Sequence, residues 1–203
     1  MTAWSVAAAR IGALCLVCLL LAACATREQR PAGAWLEERA AWFDAHPVWS
    51  ISGRVGLHDG KRGGSLGFTW RADGDEHRIQ LRSSAGGRQW RLHFSPNSAV
   101  LRGSDVGRLT GIRPDPLVEE AIGWPIPVRD LSWWIRGLLP PEGGRVRFAE
   151  DGTLAGVADA SWTLEYSRFE QVQGRLLPTR LKARSDRYTV RIAIADWEFE
   201  SPE

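Results

Sequence analysis

The sequence predicts a mainly β fold: about eleven antiparallel strands curled into a sandwich or barrel, broken once by short helices. Three observations carry this. From Trp49 onward apolar and polar residues alternate with a period of two, in runs closed by turn residues, which marks a sheet packed on one face. Between Pro114 and Gly137 the period becomes helical, and afterwards the alternation resumes. The composition, 44% hydrophobic and 25% charged over 203 residues, is that of a folded chain with one sizeable core, so disorder and collagen-like repeats are excluded. A formal charge of +2 argues against a dedicated nucleic-acid surface, although all but two of the 26 basic residues are Arg.

The amino end precedes this fold. Arg10 is followed by an apolar run from Ile11 to Ala23 that is too short to span a bilayer and fits the hydrophobic region of a secretory signal. It ends on Leu21-Ala22-Ala23-Cys24, which resembles the lipobox of bacterial lipoproteins. On that reading residues 1–23 are removed and Cys24 is acylated. Cys15 and Cys18 leave with the signal, so the mature chain keeps no free thiol, disulfide or cysteine metal site. Ala25 resembles the residue found after the cysteine in outer-membrane rather than inner-membrane lipoproteins. The expectation is an envelope protein held by acyl chains at Cys24, facing the periplasm. Residues 24–33 form the lipidated tether, whose polar part, ATREQRPAG, reaches at most about 30 Å. Residues 34–203 form the single domain.

Within it, Trp35, Leu36, Ala40 and Phe43 recur at helical spacing with Glu37, Glu38 and Arg39 between them, and Pro47 ends the helix. Strand candidates follow around Trp49–Leu57, Leu66–Trp70, Ile79–Leu81 and Trp90–Phe94, with shorter ones at Val100–Leu101 and Val106–Ile112. Asp115 is placed to cap a short helix that has Pro116 at its first position and ends at Gly123. Trp124-Pro125-Ile126-Pro127 is a stiff link. Val128–Arg136 is a second short helix with Val128, Leu131, Trp134 and Ile135 on one side, stopped by Gly137. Strands resume at Arg145–Phe148, Leu154–Val157, Trp162–Tyr166, Leu177–Ala183 and Tyr188–Trp197.

No enzyme signature stands out. The mature chain has no H-E-x-x-H, P-loop or C-x-x-C, and Gly63-Gly64-Ser65-Leu66-Gly67 lacks phosphate-binding spacing. His46, His58, His77 and His93 read as solvated residues, and Glu119-Glu120 as a solvated helix face. What remains is an apolar surplus: eleven Trp, of which Trp70, Trp90, Trp162 and Trp197 fall on inward strand faces. Most single tryptophans fill cores, but a barrel of this strand number encloses space for an apolar ligand such as an acyl chain. A void above about 300 Å³ between sheet and lid, lined by Trp70, Leu131 and Trp134, is therefore expected.

Gly123-Trp124-Pro125-Ile126-Pro127-Val128-Arg129-Asp130-Leu131, followed by Trp134-Ile135-Arg136-Gly137, closely resembles the signature of the LolB family of outer-membrane lipoprotein receptors. Ser52-Gly53-Arg54-Val55, Phe68-Thr69-Trp70, Trp162 to Tyr166, Leu177-Pro178 and Trp197 add matches in order along the chain. The resemblance implies a half-open antiparallel β-barrel of about eleven strands with a helical lid over an apolar cavity. It also implies the function: acceptance of lipoprotein acyl chains from the periplasmic carrier LolA and their insertion into the outer membrane, by a monomer using no cofactor or metal. By family position Trp70, Trp134, Trp162 and Trp197 belong to barrel and lid, and with Leu131 they make the expected acyl-chain site. The family's membrane-delivery loop falls at Arg82 to Arg88, where Ala85 stands in place of a large aliphatic residue. An alanine there buries about 2 kcal/mol less apolar surface than leucine, so Arg82 and Arg88 are the alternative contacts to anionic head groups. The competing expectations are an assembly or structural lipoprotein with a solid core and, less supported, a lipid hydrolase using the same cavity.

Overall fold

The computed structural model describes residues 32–84, 87–159 and 161–200. The signal segment, Cys24 and Ala85 lie outside the described residues. Among the described residues three helices, α1 (Ala32–Ala45), α2 (Pro114–Ile122) and α3 (Val128–Trp134), accompany eleven strands. The strands are β1 (Val48–His58), β2 (Gly63–Asp73), β3 (Glu76–Ser83), β4 (Gln89–Ser95), β5 (Ser98–Gly103), β6 (Gly107–Gly111), β7 (Arg145–Phe148), β8 (Leu154–Ala158), β9 (Thr163–Val172), β10 (Arg175–Arg184) and β11 (Thr189–Phe199). The first helix begins at Ala32, inside the segment expected as tether.

All eleven strands form one antiparallel sheet in the order β6-β5-β4-β3-β2-β1-β11-β10-β9-β8-β7. Sequence neighbours pair through hairpins, and β1 with β11 joins the two halves at the middle. The edges, β6 and β7, do not pair with each other, and the segment connecting them carries α2 and α3. The half-open barrel follows from this: the inner face stays uncovered along one side, and the helical insertion spans the gap.

Through β1 to β5 the burial follows the sequence alternation. Ile79 and Leu81 point inward from β3, as do Trp90, Leu92 and Phe94 from β4, while Arg78, Gln80, Arg91 and His93 point out. The other half is irregular. Ser52 pairs with Asp196 but Gly53 pairs with Ile194, so Ala195 has no residue opposite it. This β-bulge inverts the parity of β11, and Val190, Ile192 and Ile194 face the same core as Trp197 and not its opposite. The displaced backbone passes so near β1 that a Cβ at Gly53 would overlap the Ala193 carbonyl oxygen, so only glycine fits.

The third layer is α1, lying on the inner face. Its Phe43 packs against Trp49 and Trp197, ring centroids 6.5 and 6.2 Å away, and Trp35 meets Phe148 edge-on at 5.8 Å. Trp42, Trp70, Phe94 and Phe199 extend the same cluster at one end of the sheet. Among the described residues Trp49, Trp70, Trp90, Trp134 and Trp197 are core, and Trp35, Trp42, Trp124, Trp133 and Trp162 pack partly buried against it.

Candidate functional site

The inner face and the lid meet along an apolar seam. Ile51, Phe68, Trp70 and Leu81 of the sheet face Val118 of α2 and Leu131 of α3 across it, and every lining side chain is apolar. The space between them measures about 40 Å³. The expected void above about 300 Å³ is absent: the branched side chains of the lid interdigitate with those of the sheet and close it.

The lid is fastened firmly at the carboxyl end of α3. Arg39 of α1 is 2% exposed and donates to the Arg136 and Leu176 carbonyls at 2.9 and 2.6 Å, its guanidinium 4.5 Å from the centre of the Trp35 ring. Burial lowers its pKa to about 10, which leaves it charged at neutral pH, and cations are favoured at a helix carboxyl end. Gly137 takes a φ of 73°, and a Cβ there would press on Arg39 at 3.3 Å. The buried Tyr166 hydroxyl donates to the Trp134 carbonyl at 2.7 Å, and burial raises its pKa, which keeps it a donor. Arg136 donates to the Ser132 carbonyl at 2.8 Å and sits 4.7 Å over the Trp133 ring.

The amino end of α3 is looser. Asp115 accepts from the Arg129 backbone N–H at 3.1 Å, so this aspartate caps α3 and not α2, whose own N-cap residue is Arg113. The sequence position next to Pro116 suggested the nearer helix, but the fold brings the second one within reach. Beside it lies a hollow of about 600 Å³ lined by Asp115, Glu119, Asp130, Glu142, Asp159 and Trp162 among others. Asp130 is half-buried there. Burial first, then the neighbouring carboxylates of Asp115, Asp159 and Glu142, raise its pKa to about 6.

The structure separates the sequence-predicted site residues. Trp70 and Leu131 line the seam. Trp134 is fully buried behind it, with its indole N–H unpartnered. Trp162 precedes β9 and borders the acidic hollow, because Asp159 caps its turn with bonds to the Ser161 and Trp162 N–H groups at 2.7 Å. Trp197 belongs to the aromatic cluster and donates to the Pro178 carbonyl at 3.0 Å. Arg82 is exposed at the end of β3, and Arg88 pairs with Asp105 at 3.4 Å. Sequence reasoning missed Ile51, Phe68 and Val118 as seam residues, although their alternation and helical spacing carried the signal.

His77 is a correction. It is 7% exposed, accepts from the Trp70 indole N–H at 3.1 Å and stacks on Phe94 at 4.6 Å, so it is a neutral core residue. Burial, with the Arg136 charge, lowers its pKa to about 4. His46 is half-buried and stacked on Trp42, whereas His58 and His93 are exposed as expected. Among the described residues no cluster of His, Cys, Asp and Glu could hold a metal ion, and no helix is long and apolar enough to cross a membrane.

The fold has a parallel among solved structures. A LolA superfamily protein from Nitrosomonas europaea superimposes with a TM-score of 0.54 at 8% identity, covering 86% of this chain and 96% of its own, which is likeness of fold alone. The outer-membrane lipoprotein LolB of Pseudomonas fluorescens is 33% identical over 150 residues, 73% of each chain. That of Pseudomonas syringae pv. syringae is 31% identical over 186 residues, 88% of this chain and 91% of its own. The sequence profile of the family described as "Outer membrane lipoprotein LolB" matches residues 47–197, from the start of β1 to the inward Trp197 of β11. The chain belongs to the LolB family of outer-membrane lipoproteins.

Proposed function

We propose that this protein is a receptor, acylated at Cys24 and held on the periplasmic side of the outer membrane, that accepts the acyl chains of lipoproteins from a LolA-like carrier and passes them to the membrane. One observation carries the reading: the seam between sheet and lid is wholly apolar, and the lid is an insertion between two unpaired edge strands, free to part without breaking the sheet. The acyl chain seats first on Trp70 and Leu131. Trp134, Trp162 and Trp197 are assigned to the site by family resemblance, and the Arg82–Arg88 loop with Ala85 to delivery. No cofactor or nucleotide enters the scheme, so transfer runs downhill: a tenfold bias needs acyl chains to bind about 1.4 kcal/mol more tightly than in the carrier.

The closed seam of about 40 Å³ favours a second reading, an assembly lipoprotein with a solid core. One experiment separates the two. A photo-crosslinking residue is placed singly at Trp70, Leu131, Trp134, Trp162 and Trp197, and each variant is mixed with a carrier loaded with triacylated lipoprotein. Capture of cargo at positions 70 and 131 is expected, and the other three positions then show how far the site extends. No capture at any position, with the cargo left on its carrier, sinks the receptor reading in favour of the solid core.

A further inference from the structure

The outer face of the sheet carries a second feature that the acyl-chain reading does not use. Register places Arg180, Ala193, Arg54, Gly67 and Arg82 side by side in one row across β10, β11, β1, β2 and β3. Arginines thus alternate with the two smallest side chains, about 10 Å apart at two strand spacings. All three are exposed, and among the described residues none has a carboxylate within 4 Å. The small residues leave a groove of about 520 Å³, floored in part by Gly53, Gly67 and Ala193 and bordered by the three guanidiniums; no carboxylate lines it. The groove exists because the Ala195 bulge presses β11 against Gly53.

The same face carries further arginines toward β6. In the next row Arg91, Arg102 and Arg108 stand directly opposite one another on β4, β5 and β6, again exposed and without an ion pair among the described residues. Like charges in cross-strand pairs destabilise a sheet, so nothing in the fold's own stability calls for this arrangement. Asp196 stands in the row of Arg91, Glu198, Glu200 and Glu76 lie farther from the Arg82–Arg88 loop, and on the loop side Glu165 is paired with Lys182 and Arg184. Toward the loop the neighbouring row adds Arg191.

We infer that this outer face is a docking surface for a plane of anionic phospholipid head groups, with phosphates seated in the groove between Arg54, Arg82 and Arg180. Guanidinium forks bind phosphate oxygens bidentately, and spaced, singly exposed arginines suit a plane of separate charges better than one compact ligand. The inference rests on the reading of the chain as membrane-anchored. A tether of at most about 30 Å from Cys24 keeps the face within reach of the lipid surface. Seated this way, the sheet turns its outer face to the bilayer, next to the loop assigned to delivery.

The test removes the anchor. The chain from residue 24 onward with Cys24→Ala contains every described residue, and the compact unit Ala32–Glu203 is intact in it. Its binding is measured by sedimentation with vesicles of phosphatidylcholine alone and of phosphatidylcholine with phosphatidylglycerol. Binding to the second only, weakening as salt rises, is expected. Each arginine contributes roughly fivefold, so Arg54→Gln, Arg82→Gln and Arg180→Gln together lower affinity on the order of a hundredfold. Arg113→Gln with Arg129→Gln, which remove charge at the lid, change it little. Equal binding to both vesicles, or equal loss from the lid variants, overturns the inference. Competition by inorganic phosphate beyond that of chloride at equal ionic strength also overturns it, in favour of a soluble phosphate ligand. Because the assay uses neither the acyl anchor nor cargo, its failure leaves the receptor reading standing.

Discussion

The two ends of α3 are built on opposite principles. At the carboxyl end the buried Arg39 of α1, itself tied to the Leu176 carbonyl of β10, and the buried Tyr166 hydroxyl of β9 donate to the Arg136 and Trp134 carbonyls. At the amino end the fastenings are exposed ones, the Arg129 N–H to Asp115 and the Arg129 side chain paired with Glu142 at 3.7 Å, beside a hollow whose acidic groups repel one another. Free energy of local opening is set by such fastenings, so the difference describes a flap, hinged near Ile135 and released near Val128. A lid of this kind exposes the seam from one side while the helix stays attached.

The contrast breaks most directly at Arg39. Arg39→Ala leaves the Arg136 and Leu176 carbonyls without this donor and opens a cavity, so urea unfolding is expected to show a loss of about 3 kcal/mol. Amide exchange at Ile135 then approaches that at Leu131. If Ile135 already exchanges as fast as Leu131 in the wild type, the helix has no firm end. Tyr166→Phe removes one bond while Trp134 O keeps the Gly137 N–H, at 2.9 Å. A loss of about 1 kcal/mol follows, with faster exchange confined to the carboxyl end.

Asp130→Asn sharpens the contrast with the opposite sign. The unfolded carboxyl titrates near 3.8 and the folded one near 6, so between those values the folded state holds more protons. Stability from this group is full below 3.8 and is lost as pH rises through 6. Asparagine keeps the shape without the charge. It is expected to stabilise the protein at neutral pH by up to about 1 kcal/mol after solvent screening, with little change near pH 4, measured by urea unfolding at both values. A gain of equal size at the acidic pH contradicts the assigned cause. His77 runs the other way. Its pKa falls to about 4, so its contribution is present above 6.5 and lost on acidification toward 4, and His77→Phe is expected to flatten that part of the stability profile.

The regular half of the sheet was legible because its alternation is unbroken: His77, Ile79 and Leu81 pair with Phe94, Leu92 and Trp90 without a register shift. The bulged half was not. Ala195 inverts the parity of β11, and nothing in that run of sequence marks the position. Two further register shifts between β9 and β10, at Thr179 and at Ser167, hide the far half of β9, where Tyr166 and Phe169 sit at odd spacing. The lid helices were readable from Pro, Gly and apolar spacing, but their fastenings were not. Arg39 looks like a solvated residue following two glutamates, and only the carbonyls brought to it from 97 and 137 residues away make it a buried one. The size of the seam was equally hidden, since apolar residues on facing elements specify contact without saying whether they meet.

The pairing of β1 with β11 has a consequence for the order of events during synthesis. Trp49 finds Phe199, and His58 finds Thr189, across most of the domain, so the central pair of the sheet is completed only when its last strand is available. Contacts so distant in sequence form slowly, because the loop must close before the pairing rewards it. Loss of residues 189–199 would split the sheet down its middle, leaving two half-sheets each with a new open edge.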